Sequence, residues 1–344
     1  MTIKYDNVYV NETGVVAGKI EGEGPLYKYF DRVYDDYYIG KKTWEQAEMK
    51  MIVDSVDILL NKSGKTKKDI SLFICGDLLN QLVASNYAAS TLGLNYLGIY
   101  NACATSAEGI IIGANMLSNR YINNCICTVS SHNLSAEKQY RNPTEYGTPK
   151  PKTATFTSTG AGSILISNNK SKIKIESSTI GKVMDLGIKD TFHMGAVMAP
   201  SAAYTIHRHL KDLKREAGYY DLIVTGDLGV YGKDILKDYL KTEYNITLEN
   251  NYDDCGTMLY DTESQEVFAG ASGPASSALV TYSYIIEQMK RGKYNKVLLV
   301  ATGALMSPTT VNQKMTIPSI SHAISLEVVE WFMYIHFYLR VLYV

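Results

Sequence analysis

A chain of 344 residues with a hydrophobic fraction of 46%, a charged fraction of 20% and a net charge of -1 has the composition of an ordinary globular protein, long enough for two domains. The near-neutral charge, with no basic stripe interleaved with aromatics, gives no reason to expect nucleic acid, and there is no run of about 20 apolar residues to span a bilayer. Five cysteines in apolar settings, with no signal peptide, point to a reducing compartment rather than a disulfide framework.

Residues 1–40 are rich in Gly and Tyr and read as a short hairpin followed by a loop. An amphipathic helix is expected over 43–63, with Ala47, Met51, Val56 and Leu59-Leu60 on its apolar face. After a lysine-rich turn comes an apolar strand, Leu72-Phe73-Ile74-Cys75-Gly76-Asp77-Leu78, then a helix over 80–91 and a short strand over 96–100. The stretch 104–119 is apolar on most of its circumference, as in a helix buried on all sides. A strand over 125–130, a long polar insertion over 132–158 and a strand over 161–167 complete a first unit.

The second unit, from 172 to about 327, repeats the first. Leu222-Ile223-Val224-Thr225-Gly226-Asp227-Leu228 echoes the first strand and its turn, and Val297–Gly303 echoes Cys125–Ser131. Each of the later strands follows a small-residue turn and a long apolar helix: Asn101-Ala102-Cys103-Ala104-Thr105-Ser106 in one copy, Gly270-Ala271-Ser272-Gly273-Pro274-Ala275 in the other. Continuous apolar strands alternating with helices predict an α/β architecture around a mainly parallel sheet. The division expected is 1–170, 171–330 and an atypical apolar tail, 331–344.

Only the first copy of the turn carries a cysteine. Cys103 would open the buried helix, where free amides and the helix dipole lower a thiol's pKa and attract anions; the other reading is a small core cysteine. Cys125 and Cys127 share a strand face and read as core. His207 and His209 face different ways on a helix and read as surface histidines rather than a metal pair. His132 follows a strand end, where ligand-binding residues gather. Asp77 and Asp227 sit at equivalent strand ends, either in a site or as turn-forming Asx groups. No P-loop, dinucleotide fingerprint or zinc spacing is present.

The duplicated unit with its cysteine resembles the thiolase and ketoacyl synthase superfamily, which implies a duplicated αβαβα layered fold. Gly76–Gln81, Ser130–Asn133, Asn142–Gly147, Met184–Ile188, Asp253-Asp254-Cys255-Gly256 and Val300–Leu305 together resemble the stage V sporulation protein AD family of spore-forming bacteria. That resemblance implies binding of dipicolinic acid (pyridine-2,6-dicarboxylate) during its uptake into the developing spore. It also implies membrane-embedded partners from the same operon and a peripheral place on the cytoplasmic side of the spore inner membrane. By analogy with thiolases, a homodimer is expected. Condensing enzymes of this fold take a histidine and an asparagine from loops of the second unit; the matching stretches, Ala269–Ser272 and Asp253–Gly256, contain neither. A non-catalytic binding protein is therefore expected, with an acyl-thioester enzyme using Cys103, and His132 or His322 as base, as the alternative. The expected ligand contacts are Asp77, Cys103, His132, Asp227, Cys255, Thr302 and Gly303. No resident cofactor is expected, though Ca²⁺ could arrive bridging the acidic groups, Asp253 and Asp254 included, to the ligand. The tail could serve as an interfacial membrane anchor, or be an ill-packed product of a frame change.

Overall fold

The computed structural model describes residues 1–140 and 150–329. The motif 142–147 and the tail 331–344 lie outside them. The first half contains β1 (Tyr9–Ala17), α1 (Trp44–Ser63), β2 (Leu72–Gly76), α2 (Val83–Leu92), β3 (Tyr96–Gly98), α3 (Thr105–Ser118), β4 (Asn124–Ser131), α4 (Asn133–Tyr140) and β5 (Gly160–Ser167). The second contains β6 (Ile173–Thr179), α5 (Met194–Leu213), β7 (Leu222–Thr225), α6 (Gly229–Tyr244), β8 (Tyr252–Asp254), α7 (Pro274–Leu279), β9 (Lys296–Ala304) and β10 (Ser319–Val328). Helix α7 continues through a π-helical segment, Val280–Ile285, into Ile286–Lys290.

The strands form one sheet in the order β8-β7-β9-β10-β6-β1-β5-β4-β2-β3. Read outward from its centre, the order is palindromic by role: β2 matches β7 and β4 matches β9, as the sequence echoes require. The halves meet where β1 and β6 pair through Tyr9↔Lys174 and Val10↔Ile173. The sheet is mixed rather than mainly parallel. In each half the pairings β2/β3, β2/β4, β7/β8 and β7/β9 are parallel, while β4/β5, β5/β1, β9/β10 and β10/β6 are antiparallel. The closing strands enter from the opposite end, so no helical crossover is needed to reach them. Nor is there an N-terminal hairpin: Thr2–Lys4 pairs with β6, and β1 is a central strand.

Helices α1 and α2 cover one side of the first half, and α5 and α6 cover the second. Between the two sheet halves lie α3 and α7. Helix α3 packs on β2, β4 and β5 of its own half and on β9 and β10 of the other, while α7 packs on β1, β4 and β5. The largest core surrounds these two helices and draws side chains from both halves, such as Ile110, Ala114, Val129, Ala278, Leu279 and Leu299. Small residues permit the approach: a Cβ on Gly162 would lie 2.8 Å from the Ala278 methyl. Local signals hold as well. Thr43 caps α1 by accepting from Gln46 N–H at 3.3 Å, and Gly64 ends it at φ 65°.

The pair His207/His209 behaves differently from the expectation of two surface histidines. His207 stacks on Tyr244 at 4.4 Å. His209 is fully buried, with Nδ1 2.7 Å from Thr179 Oγ1 and Nε2 2.6 Å from Tyr220 OH. Burial pushes its pKa down to about 4. The helix places alternate histidines on different faces, and one of those faces is the core.

Candidate functional site

A cavity of about 120 Å³ lies where the halves meet, far more than the roughly 10–15 Å³ one water needs. Its floor is the turn Ala102-Cys103 with Asp227, Ser272 and Gly273; its walls include Tyr100, Tyr140, Met194, Met198 and Met306. Ala102 has φ 49°, a left-handed conformation uncommon for a residue with a side chain, so the turn is held tightly where it presents Cys103. The hydroxyls of Tyr100 and Tyr140 meet at 2.9 Å, and Tyr140 OH donates to Leu78 C=O at 2.6 Å, which fixes that wall. Of the described residues lining the cavity, none is Lys, Arg or His.

Cys103 is half-buried and lies two residues before α3. The helix end was expected to lower its thiol pKa; instead the pKa is raised well above the ordinary value. Burial is the largest cause, followed by the negative charge of Asp227 and the hydrogen bond the thiol donates to that carboxyl. Asp227 is fully buried, with Oδ1 accepting from Thr302 Oγ1 at 2.6 Å and Oδ2 from Gly273 N–H at 3.1 Å. Burial raises its own pKa to about 7, against the lowering effect of the Thr302 and Cys103 hydrogen bonds. The pair is thus a reluctant thiol beside a half-neutral acid, and proton transfer from sulfur to carboxylate is uphill.

The two Gly-Asp-Leu turns serve different ends. Asp77 is consumed by its own turn: Oδ1 accepts from Leu79 N–H at 2.8 Å, and Oδ2 from the N–H and hydroxyl of Ser85 at 2.8 and 2.6 Å. In the second half Asp254 does that bracing. It accepts from Thr225 Oγ1 at 2.7 Å, Leu228 N–H at 2.9 Å, Gly229 N–H at 3.0 Å and Gly256 N–H at 3.0 Å. Asp227 is thereby left to face the cavity.

Other expected contacts lie elsewhere. His132 is fully buried, with Nε2 2.8 Å from Tyr37 C=O, and is not part of the cavity lining. Cys255 is buried in the central core. Thr302 is buried and bonded to Asp227, so it acts through that residue. Gly303 is where the halves touch: a Cβ there would stand 2.7 Å from Asn101 C=O and 3.0 Å from Ala104 N. His322 Nδ1 accepts from Gly181 N–H at 3.1 Å, so the neutral ring carries its proton on Nε2, and that N–H is satisfied by the Asn101 side chain 2.8 Å away with the amide turned to present its oxygen. Burial lowers its pKa to about 4. Both nitrogens are engaged in tying the halves together, which leaves neither to serve Cys103. Among the described residues no group of three or more His, Cys, Asp or Glu could hold a metal ion. Sequence reasoning missed Asn101 and the cavity walls; Gly273 was on view as the small-residue turn matching Cys103.

The family model described as Stage V sporulation protein AD matches residues 1–327. The chain belongs to that family. Stage V sporulation protein AD of Bacillus subtilis (strain 168) is 48% identical over 320 residues, covering 93% of this chain and 94% of the relative. Among solved structures, 3-oxoacyl-[acyl-carrier-protein] synthase III from Aquifex aeolicus is similar with TM-score 0.56 and 12% identity, over 93% of this chain and 99% of that one. OleA from Xanthomonas campestris is similar with TM-score 0.59 and 14% identity, over 94% and 98%. These neighbours establish the fold as thiolase-like. No helix among the described residues is long and apolar enough to cross a membrane.

Proposed function

We propose that this sporulation protein uses the cavity between its halves to bind a small molecule and does not carry out acyl transfer, and that the molecule is dipicolinic acid on its way into the spore. The observation that carries the first part is the partner of Cys103. A nucleophilic thiol needs a base or a positive neighbour. Here its neighbour is an acid that raises its pKa, and His322, which reaches the same turn through Asn101, is committed on both nitrogens. The identity of the ligand rests on the family. The cavity's size and aromatic and methionine walls suit a flat ring, and a protonated Asp227 is a hydrogen-bond donor for a carboxyl group. With no cationic side chain in its described lining, the cavity favours the dicarboxylate as its calcium chelate, the ion arriving with the ligand. The protein would then hand the ligand to membrane-embedded partners at the inner membrane of the spore, and a homodimer is the state in which we expect it to do so.

Calorimetry with dipicolinate, with and without Ca²⁺, tests this reading. Heat of binding that is larger with Ca²⁺ and lost in a cavity-filling Met306→Trp variant that still folds is the expected result. No heat under either condition would sink it. The alternative, an acyl-thioester enzyme, draws on the thiolase-like neighbours being enzymes. An acyl adduct on Cys103 after incubation with acyl-coenzyme A, seen by mass spectrometry and absent in Cys103→Ala, would establish it.

A further inference from the structure

The two sides of the cavity are built differently. Its floor and inner wall belong to the core: Asp227, Met198, Thr155, Ser272 and Ala304 are all buried. Its outer wall is carried by two surface segments. One is the loop 182–193, which supplies Thr191 and Phe192. The other is the connection 305–316 between β9 and β10, which supplies Met306, Pro308 and Val311. Not one residue of either segment is buried, although Ala304 and Ile317, which bracket the second, are only 9% and 3% exposed.

The connection 305–316 is a compact body on a narrow stalk. Ser307 caps a single helical turn, Pro308–Asn312, in a reciprocal capping box with Thr310. The N–H groups of Val311, Gln313, Lys314 and Met315 return to carbonyls of Ser307, Thr309, Val311 and Thr310 at 2.9–3.1 Å. Among the described residues, no hydrogen bond joins 307–315 to anything outside the segment. Its ties lie at the stalk. Leu305 N–H donates to Pro318 C=O at 2.8 Å, Ile317 N–H to Ile188 C=O at 2.8 Å, and Thr316 Oγ1 to Asp185 Oδ2 at 2.6 Å. Lys314, at φ 60°, turns the chain back towards that stalk. The body is held down only by the side chains it lays on the cavity, and segments with so little buried contact are the first to open.

We propose that 305–316 is a lid: it swings out as one body about its stalk to admit the ligand and settles back with Met306, Pro308 and Val311 against it. This rests on the cavity being a small-molecule site. A rigid turn on a two-ended stalk can move by changing a few stalk dihedrals, with its internal hydrogen bonds intact. A ligand in the cavity gives the three side chains a surface to pack on, so occupancy favours the closed position. Departure of the ligand then waits on opening of the lid.

Deleting the body tests this. Leu305 and Pro318 are already hydrogen-bonded, so a short glycine linker in place of 307–315 closes β9 and β10 into a hairpin and removes no buried residue. Circular dichroism establishes that the variant folds. Cys103, on the cavity floor, should then be labelled by fluorescein maleimide about tenfold faster than in the full chain, because the lid stands open in only a minority of molecules. The gain should be larger than for the small reagent iodoacetamide, which marks it as a gain in access. In the full chain, dipicolinate with Ca²⁺ should slow amide hydrogen exchange across 307–315 by about tenfold and leave β9 unchanged. Unchanged maleimide labelling in the folded variant would overturn the lid. So would unchanged exchange across 307–315 where calorimetry shows dipicolinate bound. Absence of binding heat counts instead against the ligand, and the labelling comparison, which uses no ligand, still decides the lid.

Discussion

Asp227→Asn should make Cys103 reactive, with a dependence on pH that follows from the acid's own titration. Asn is nearly isosteric: its carbonyl can accept from Gly273 N–H while its NH₂ donates to Thr302 Oγ1, so both hydrogen bonds survive. What disappears is a negative charge beside the thiol. Two unit charges about 4 Å apart in a medium of effective dielectric about 20 repel by about 4 kcal/mol, close to three pKa units, and this sets the ceiling of the effect. Below pH 7, where Asp227 in the wild type is already protonated, the two proteins form thiolate equally and should be alkylated at the same rate. Above pH 7 the wild-type thiolate must form beside an ionised partner or wait for its proton, so its reactive population levels off while the variant's keeps rising. The ratio should reach about tenfold at pH 8 and about a hundredfold at pH 9. Iodoacetamide alkylation followed by mass spectrometry at Cys103, run from pH 6 to pH 9, measures it. A ratio that is flat with pH, or equal rates at pH 9, would refute the coupling between these two groups.

Gly303→Ala places a methyl against Asn101 C=O and Ala104 N, so we expect a loss of about 1–3 kcal/mol in urea unfolding; an unchanged midpoint would mean the halves can part slightly at no cost. Glu21, buried against Tyr260 OH and Thr159 N–H, has its pKa raised by burial from 4.5 to about 7. Its contribution is full below pH 4.5 and is lost as the pH rises through about 7. Relative to wild type, Glu21→Gln should therefore gain about 3 kcal/mol between pH 4.5 and pH 8, and parallel stability profiles would contradict this. Cys103→Ser should keep most dipicolinate affinity in calorimetry, because a serine hydroxyl can donate to Asp227 as the thiol does; complete loss in a folded variant would return attention to sulfur chemistry.

The duplication was legible because its echoes are strands buried on both faces, whose continuous apolar runs survive as pattern: Leu72–Gly76 and Leu222–Thr225 landed on matching strands. The closing strand of the first half was read over 161–167 and is observed at Gly160–Ser167, but its antiparallel direction was not read, and Ser319–Val328 was not singled out, because direction is set by tertiary pairing and not by composition. The site was half visible. Cys103 and Asp227 do line one cavity, but Asp77, with the same Gly-Asp-Leu neighbours, is spent inside its turn. What separates them is Asp254, about 25 residues downstream of one aspartate and without a counterpart bracing the other, a difference that only tertiary contact reveals. His209 and His322 were opaque for the same reason: their partners, Thr179, Tyr220, Gly181 and Asn101, are remote in sequence.

The interleaving of α3 and α7 has a consequence for biosynthesis. The central strands β1 and β6 share only two residue pairs, and Thr2–Lys4 adds three more at the side of β6, yet α3 rests on strands of both halves. The first half alone cannot bury its own middle layer. As the chain leaves the ribosome, the apolar flank of α3 that β9 and β10 will cover stays open to water until residues 296–328 have emerged. The protein is thus committed to folding late and as one cooperative unit, and it is during this interval that it most needs protection from aggregation.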